Sequence, residues 1–240
     1  MDVLAHETQH LTARLDTIIR EQAGLRVFHH LNQIRRLAAN TRHHGDRVSL
    51  QAKRAIINRL SVAEAYQITH AFSLHFQLVN VCEERARVRH LQGESAPAMS
   101  LRRLFRELRE AGVPPRQVQQ ALDELEIQPV LTAHPTEAKR RSVLNQLWRL
   151  AQHWDAPEES LEALWQTEEV RERRVGPLQE VESTVDYFDR SIFASVAGFY
   201  AAFDAELASR YPGVRRRREF LTFASWVGGD RDGNPFVTPD

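Results

Sequence analysis

The fold of this chain is decided by the stretch Gln128-Pro-Val-Leu-Thr-Ala-His-Pro-Thr-Glu-Ala-Lys-Arg-Arg-Ser142. Residues 129–133 are apolar and open with proline, which predicts a short strand. His134 follows at the carboxyl end of that strand. Pro135-Thr136 then indicates a helix start, because proline suits the first helical turn and threonine is a good cap. A strand that carries a histidine at its carboxyl end and then turns into a helix is typical of α/β active sites.

Three basic residues, Lys139, Arg140 and Arg141, occupy the opening turns of this predicted helix. Cations at a helix amino end oppose the macrodipole, at a cost of roughly 0.3–1 kcal/mol each when exposed. The arrangement is understandable if an anion binds both the side chains and the free N–H groups. The alternative is a structural histidine followed by a solvated basic face, and these residues alone leave both interpretations open.

Two motifs resemble signatures of the phosphoenolpyruvate carboxylase family. The first is Val130-Leu-Thr-Ala-His-Pro-Thr-Glu137, and the second is Trp226-Val-Gly-Gly-Asp-Arg-Asp-Gly-Asn-Pro235. Residues 65–84 are also similar to that family's amino-terminal region. Two motifs in the family's order are far more specific than either alone. The resemblance runs along nearly the whole chain, but it covers only the amino-terminal part of the family's chains.

The resemblance implies a carboxy-lyase that converts phosphoenolpyruvate and bicarbonate into oxaloacetate and phosphate. This reaction fixes carbon dioxide and replenishes the tricarboxylic acid cycle. It implies His134 as the general acid/base on carboxyphosphate and Trp226 as a wall of the apolar pocket where CO2 meets the enolate. Arg140 and Arg141 match positions implicated in activation by sugar phosphates. Mg2+ or Mn2+ is the implied cofactor, with ligands outside this chain. The complete enzyme is expected to be allosteric, cytoplasmic and homotetrameric.

In the second motif the cation Arg231 stands between two carboxylates, Asp230 and Asp232. The Gly-Gly pair before these residues and the Gly-Asn-Pro segment after them both favour turns. Arg231 either locks a turn through these carboxylates or contacts the substrate, and we predict it as a substrate-pocket residue. Asp230, Asp232 and Asn234 have the alternate spacing of a calcium loop. Pro235 stands where such a loop requires glycine, so a calcium site of that type is excluded.

Composition excludes several other classes of protein. Lys and Arg total 32 and Asp and Glu total 32, so overall charge gives no support to a nucleic-acid partner. The run 215–218 of four arginines is predicted to be a solvated segment rather than a phosphate or nucleic-acid patch. No leader pattern and no apolar run approaching 18 residues is present, so neither export nor a membrane span is predicted. Cys82 is the only cysteine and is predicted to be a core residue.

Helical periodicity dominates the rest of the chain. The predicted fold is mainly α, with an amino-terminal helical region (1–125) followed by the first two strand-helix units (126–240) of an incomplete (β/α)8 TIM-type barrel. A second strand is predicted at 220–227. Helices are predicted at residues 2–23, 25–42, 49–60, 61–91, 99–111, 115–125, 135–154, 158–174 and 178–210.

Three helices have predicted faces. The apolar spacing of 178–210 predicts burial over much of that helix's surface. In 61–91 the predicted buried stripe consists of Ala65, Ile68, Phe72, Phe76, Val79 and Cys82–Glu83. In 135–154 the residues expected inward are Leu144, Leu147, Trp148 and Ala151.

A complete barrel would need six more strands, and two lone parallel strands would leave unpaired edges. The chain is therefore expected to be an amino-terminal fragment of a larger enzyme and inactive by itself. The alternative is a free-standing, non-catalytic helical protein of 27.7 kDa that binds a phosphorylated small molecule at 139–141.

Overall fold

The computed structural model describes residues 3–92, 100–132, 140–168 and 176–229, together with Val237. Most of these residues are helical, and the sheet within them consists of two short parallel strands. The prediction of a mainly α fold is confirmed. In the same ranges, every helix is too short or too polar to cross a membrane.

Every predicted helix has a counterpart, although several boundaries differ. The predicted helix 178–210 consists of two α-helices joined by one π-helical turn, Phe188–Ile192. In chain order the elements are α1 (Val3–Gln22), α2 (Gly24–His44), α3 (Arg47–Ile57), α4 (Val62–Gln92), α5 (Leu101–Glu110), α6 (Pro115–Glu124), β1 (Val130–Leu131), α7 (Arg141–Gln152), α8 (Glu158–Gln166), α9 (Pro177–Tyr187), α10 (Phe193–Arg210) and β2 (Ala224–Ser225).

The chain divides into two compact units. Unit 1 comprises Met1–His90 and Lys139–Arg171, and unit 2 comprises Leu91–Ala138 and Glu172–Asp240. Each unit has its own hydrophobic cluster. The predicted division at residue 125, between an amino-terminal helical region and the first units of a barrel, stays a prediction.

The core of unit 1 is built from one face each of α1, α2, α4, α7 and α8. On α4 the buried face is only partly the predicted one, because Ile68 is buried as expected but Phe76 is 58% exposed, whereas Leu74 and Leu78, which lay outside the predicted stripe, are buried. The apolar residues of α4 lie nearly all round the helix, so periodicity alone could not orient it. The prediction that Cys82 is a core residue is confirmed, and burial raises the pKa of its thiol.

Helix α4 begins with the capping box that its sequence predicts. The Ser61 N–H donates to Glu64 Oε2 at 2.9 Å, and the Glu64 N–H donates to Ser61 Oγ at 3.3 Å. Arg26 of α2 also lies 2.8 Å from Glu64 Oε1. The backbone and side-chain hydrogen bonds from Ser61, aided by the charge of Arg26, hold the pKa of Glu64 below its ordinary value.

Glu64→Gln is expected to remove a pH-dependent part of the stability while keeping the side chain's shape. A carboxyl whose pKa is lower in the folded state stabilises the fold above its ordinary value of 4.5, and this contribution is lost as the pH falls through the folded-state pKa. Thermal melts from neutral pH into the acid range should therefore converge for wild type and variant. Glu83→Gln, an exposed glutamate on the same helix, is the control. A difference between Glu64→Gln and wild type that stays constant with pH would contradict this explanation.

The core of unit 2 is an aromatic cluster on α5 and α10 and on the segment before β2. Phe203 of α10 meets Phe105 of α5 edge-on at 5.2 Å between ring centroids, and it meets Phe220 at the same separation. Tyr211, at the end of α10, is fully buried. These rings join three segments that are far apart in sequence.

The prediction that 178–210 is buried over much of its surface is wrong for this chain. No residue of α9 is buried, and Leu178 and Phe193 are 74% and 63% exposed. On α10 the buried side chains are those of Tyr200, Phe203 and Leu207. Apolar residues at helical spacing show that a helix has a face suited to burial. That face is buried only where another segment packs against it.

Strands β1 and β2 pair in parallel, with Val130 opposite Ala224 and Leu131 opposite Ser225. The Ala224 N–H donates to Pro129 O at 3.0 Å, and the Trp226 N–H donates to Leu131 O at 2.8 Å. Both predicted strands are confirmed, although each is shorter than predicted. Because the pair is parallel and in register, the carboxyl ends of both strands lie at one edge.

Candidate active site

The carboxyl edge of the strand pair is where both sequence motifs leave the sheet. Leu131 and Ser225 lie side by side, and Trp226 follows immediately, with its backbone bonded to Leu131. The Trp226 side chain is 58% exposed at this edge. An exposed indole beside a turn offers an apolar surface to a small molecule rather than filling a core.

A glycine turn follows Trp226, as the sequence predicts. The Gly229 N–H donates to Trp226 O at 3.0 Å, and Gly228 has a φ of +76°, in the region that favours glycine. A Cβ at Gly228 would lie 2.5 Å from Val181 Cγ2 of α9. The turn that orients the second motif therefore depends on glycine both for its backbone angle and for its contact with α9.

Gly228→Ala is expected to destabilise the 240-residue chain by at least about 2 kcal/mol, from left-handed strain and overpacking together. Gly229→Ala is the matched control, because its Cβ would meet Trp226 O at an ordinary 3.7 Å. Adding Val181→Ala to Gly228→Ala should recover the part due to overpacking. Urea unfolding measures all three, and equal losses for the two glycine variants would contradict the role assigned to Gly228.

The basic residues Arg140 and Arg141 lie at the amino end of α7. Arg140 is the cap residue with extended backbone (φ −62°, ψ 141°), and Arg141 is the first helical residue. The helix therefore begins later than the predicted start at 135–136, because an extended residue cannot continue a helix. Both arginines therefore belong to the first turn of α7, at the positive end of the helix dipole.

The buried face of α7 is only partly the predicted one. Leu147 is buried as predicted, but Trp148 is 49% exposed and Leu144 is only partly covered, whereas Val143 and Leu150 are buried instead. The face of Val143 and Leu150 is rotated by about 100° from that of Leu144 and Trp148. Packing within unit 1, and not the pattern, selects between them.

The arginine run before β2 binds within unit 2. Arg216 makes two hydrogen bonds to Asp204 at 3.1 and 2.8 Å, Arg217 pairs with Asp123 at 3.0 Å, and Arg218 donates to Leu125 O at 3.1 Å. The run therefore ties α6 and α10 to the segment before β2. Its acceptors lie far away in sequence, so no local pattern could have indicated this structural role.

Two predicted site residues, His134 and Arg231, lie outside the described residues, as does Lys139. The catalytic role of His134 and the substrate-pocket role of Arg231 stay predictions. Trp226 belongs to unit 2, and Arg140 and Arg141 belong to unit 1. Across the ranges that the structure describes, no group of three or more histidine, cysteine or acidic side chains is placed to hold a metal ion.

The fold and the site define a mainly helical protein in which a histidine motif and a glycine-rich motif leave the carboxyl edge of a parallel strand pair. The whole of residues 4–240 matches the family profile of phosphoenolpyruvate carboxylase. The chain belongs to the phosphoenolpyruvate carboxylase family, which confirms the resemblance seen in its two motifs.

Curated relatives agree with the family assignment. The chain is 33% identical to the phosphoenolpyruvate carboxylase of Roseiflexus castenholzii, with 97% of this chain and 28% of the relative aligned. It is 34% identical to that of Aromatoleum aromaticum, over 94% and 27% of the two chains. It is 35% identical to that of Thermus thermophilus, over 99% and 29%. The chain thus spans only 27–29% of the length of these relatives.

Proposed function

We propose that this chain forms part of a phosphoenolpyruvate carboxylase, a carboxy-lyase that converts phosphoenolpyruvate and bicarbonate into oxaloacetate and phosphate. Relatives with that name match nearly all of the chain. The observation that carries the proposal is the register of the strands, since Leu131 of the first motif lies opposite Ser225, the residue directly before the second motif. Parallel strands of a (β/α)8 barrel present their active sites at the carboxyl edge, and we propose that β1 and β2 belong to such a barrel.

His134, three residues after Leu131, is the proposed general acid/base. It would accept the proton from the carboxyl group of carboxyphosphate while the C–O bond to phosphate breaks. The products of that step are CO2, phosphate and the protonated imidazole. A histidine suits this role because its ordinary pKa lies near neutrality, so both protonation states are accessible.

Trp226 is the proposed apolar wall for CO2. Trp226 is 58% exposed at the carboxyl edge of β1, the strand that opens the histidine motif. An apolar wall keeps water from competing for CO2 until the enolate carbon forms its new C–C bond. Arg231, five residues further on, is proposed to hold an anionic substrate, since guanidinium groups bind carboxylate and phosphate in bidentate geometry.

Mg2+ or Mn2+ is expected for the enolate, because a metal ion acts as a Lewis acid on such an oxygen. The described residues do not assemble a ligand set for a metal ion. We therefore assign no step to a metal within this chain and expect its ligands elsewhere in the complete protein.

Arg140 and Arg141 are the proposed site for an anionic activator such as a sugar phosphate. Their position at the amino end of the 12-residue helix α7 supports this proposal, because the macrodipole favours an anion there. An allosteric, homotetrameric and cytoplasmic enzyme remains our expectation for the complete protein.

The proposal is tested by measuring oxaloacetate formation with the complete protein, using malate dehydrogenase and NADH as the reporter. We expect oxaloacetate and phosphate in equal amounts, with strict dependence on phosphoenolpyruvate and bicarbonate. Absence of oxaloacetate would overturn the carboxylase proposal.

The arginines at the start of α7 also fit a second function, which is the binding of phosphorylated small molecules by a non-catalytic protein. This function predicts a native protein of 27.7 kDa that binds a sugar phosphate in calorimetry without turnover. An antibody against residues 1–240 measures the native mass, and a band several times heavier would exclude this alternative.

A further inference from the structure

The hydroxyl group of Tyr200 bonds to the backbone just before β2. The Phe220 N–H donates to Tyr200 Oη at 2.9 Å, and the Leu221 N–H donates to the same oxygen at 2.8 Å. A hydroxyl oxygen has two acceptor lone pairs, so both bonds can form together. Tyr200 is itself 93% buried on α10, with 7% of its surface exposed, so neither amide has water as an easy substitute.

The backbone amides of Phe220 and Leu221 lie at the start of the hydrogen-bonded pairing between this segment and the residues around β1. Ile127 bridges to Leu221, its N–H donates to Phe220 O at 2.7 Å, and the Thr222 N–H donates to Ile127 O at 3.0 Å. The ladder then continues through Ala224 to the Trp226 N–H. Tyr200 therefore fixes the first residues of a ladder whose last bond holds Trp226.

Arg216 holds the Tyr200 ring in place. Its guanidinium carbon lies 4.1 Å above the ring centroid, and the group makes two hydrogen bonds to Asp204, one helical turn after Tyr200. Phe220 packs edge-on against the same ring at 5.3 Å between centroids. The ring thus has a packed edge and a covered face, which leaves its hydroxyl little freedom of direction.

We propose that Tyr200 is a positioning residue that sets the register of β2 against β1 and thereby the place of Trp226 at the carboxyl edge. The inference rests on the proposed function, in which Trp226 walls the pocket for CO2. Tyr200 touches no reacting atom and acts only through the strand. Sequence reasoning assigned this tyrosine no role because the amides that it binds lie 20 and 21 residues away.

Tyr200→Phe in the complete protein tests the proposal, with Tyr211→Phe as the matched control. Tyr211 is also a buried tyrosine at the end of α10, but its hydroxyl donates to Val113 O at 3.3 Å and does not reach the strand. We expect hydrogen exchange at Thr222, Ala224 and Trp226 to rise about tenfold in Tyr200→Phe. The same amides should change little in Tyr211→Phe.

Activity gives the second readout. Tyr200→Phe should lower kcat by about tenfold or more, since small misplacements of a positioning group have large effects. In a Trp226→Ala background the same change should lower kcat by less than about twofold, because the group through which Tyr200 acts is already gone. Arg216→Gln keeps the Tyr200 hydroxyl but removes the group that holds the ring, so hydrogen exchange at the same amides should rise by a smaller factor. This variant replaces Tyr200→Phe as the test if Tyr200→Phe does not fold.

Each outcome decides a separate question. Unchanged exchange at the three strand amides in both Tyr200→Phe and Arg216→Gln would overturn the positioning role, as would equal kcat losses with and without Trp226. A wild-type protein without carboxylase activity would overturn the proposed function, while the exchange measurement would still test the register.

Discussion

His134→Asn in the complete protein is expected to lower kcat for oxaloacetate formation by about 100- to 10,000-fold. Asparagine is close to histidine in size and can still hydrogen-bond, but it cannot accept a proton near neutral pH. The KM for phosphoenolpyruvate should change little, because the imidazole is proposed to act after that substrate has reacted. Steady-state kinetics with a coupled assay measures both constants.

The control for His134→Asn is His90→Asn, an exposed histidine on α4. It should retain wild-type turnover, and both variants should show wild-type circular dichroism. Near-normal turnover of a folded His134→Asn protein would reject the catalytic role of this residue.

Phe203→Ala is expected to destabilise the 240-residue chain by about 3–5 kcal/mol, because it leaves a cavity in the middle of the aromatic cluster. Phe203 contacts Phe105 and Phe220 and so joins α5 and α10 to the segment before β2. Total stabilities of domains are only about 5–15 kcal/mol, so unit 2 should be largely unfolded at moderate urea concentrations. Urea unfolding followed by near-UV circular dichroism measures the loss.

Phe193→Ala is the matched control for Phe203→Ala. Phe193 lies on the same helix and is 63% exposed, so its removal should change the free energy of unfolding by less than about 0.5 kcal/mol. Similar losses for the two variants would mean that Phe193 is covered in solution, and the assignment of the core to the inner face of α10 would be wrong.

Local signals predicted the positions of the helices well. The capping pattern of Ser61 and Glu64 starts α4 within one residue of the predicted position, while Asp46 caps α3, which begins two residues before its predicted start at 49. These features depend on residues within one turn of each other, so the sequence carries them directly. The start of α7 was misplaced, since the backbone at Arg140 is extended although a proline and a threonine occur earlier.

Which face of a helix is buried could not be predicted where apolar residues surround it. Phe76 of α4 and Trp148 of α7 were expected inward and are exposed. Ile68 of α4 and Leu147 of α7 are buried as expected, but the neighbours that share the core with them, such as Leu74 and Val143, lie on a face rotated from the predicted one. A rotation of about 100° separates such faces, and only the neighbouring helices decide between them.

The sequence by itself determined the family, the mainly helical fold and the two motifs, because these depend on residue identity and short-range spacing. The tertiary structure alone decided the register of Leu131 with Ser225, the bonds of Tyr200 to the strand and the pairing of the arginine run with Asp123 and Asp204. Such contacts join residues that lie 12 to 94 positions apart. Their free energy depends on which distant segments meet, and no local pattern encodes that.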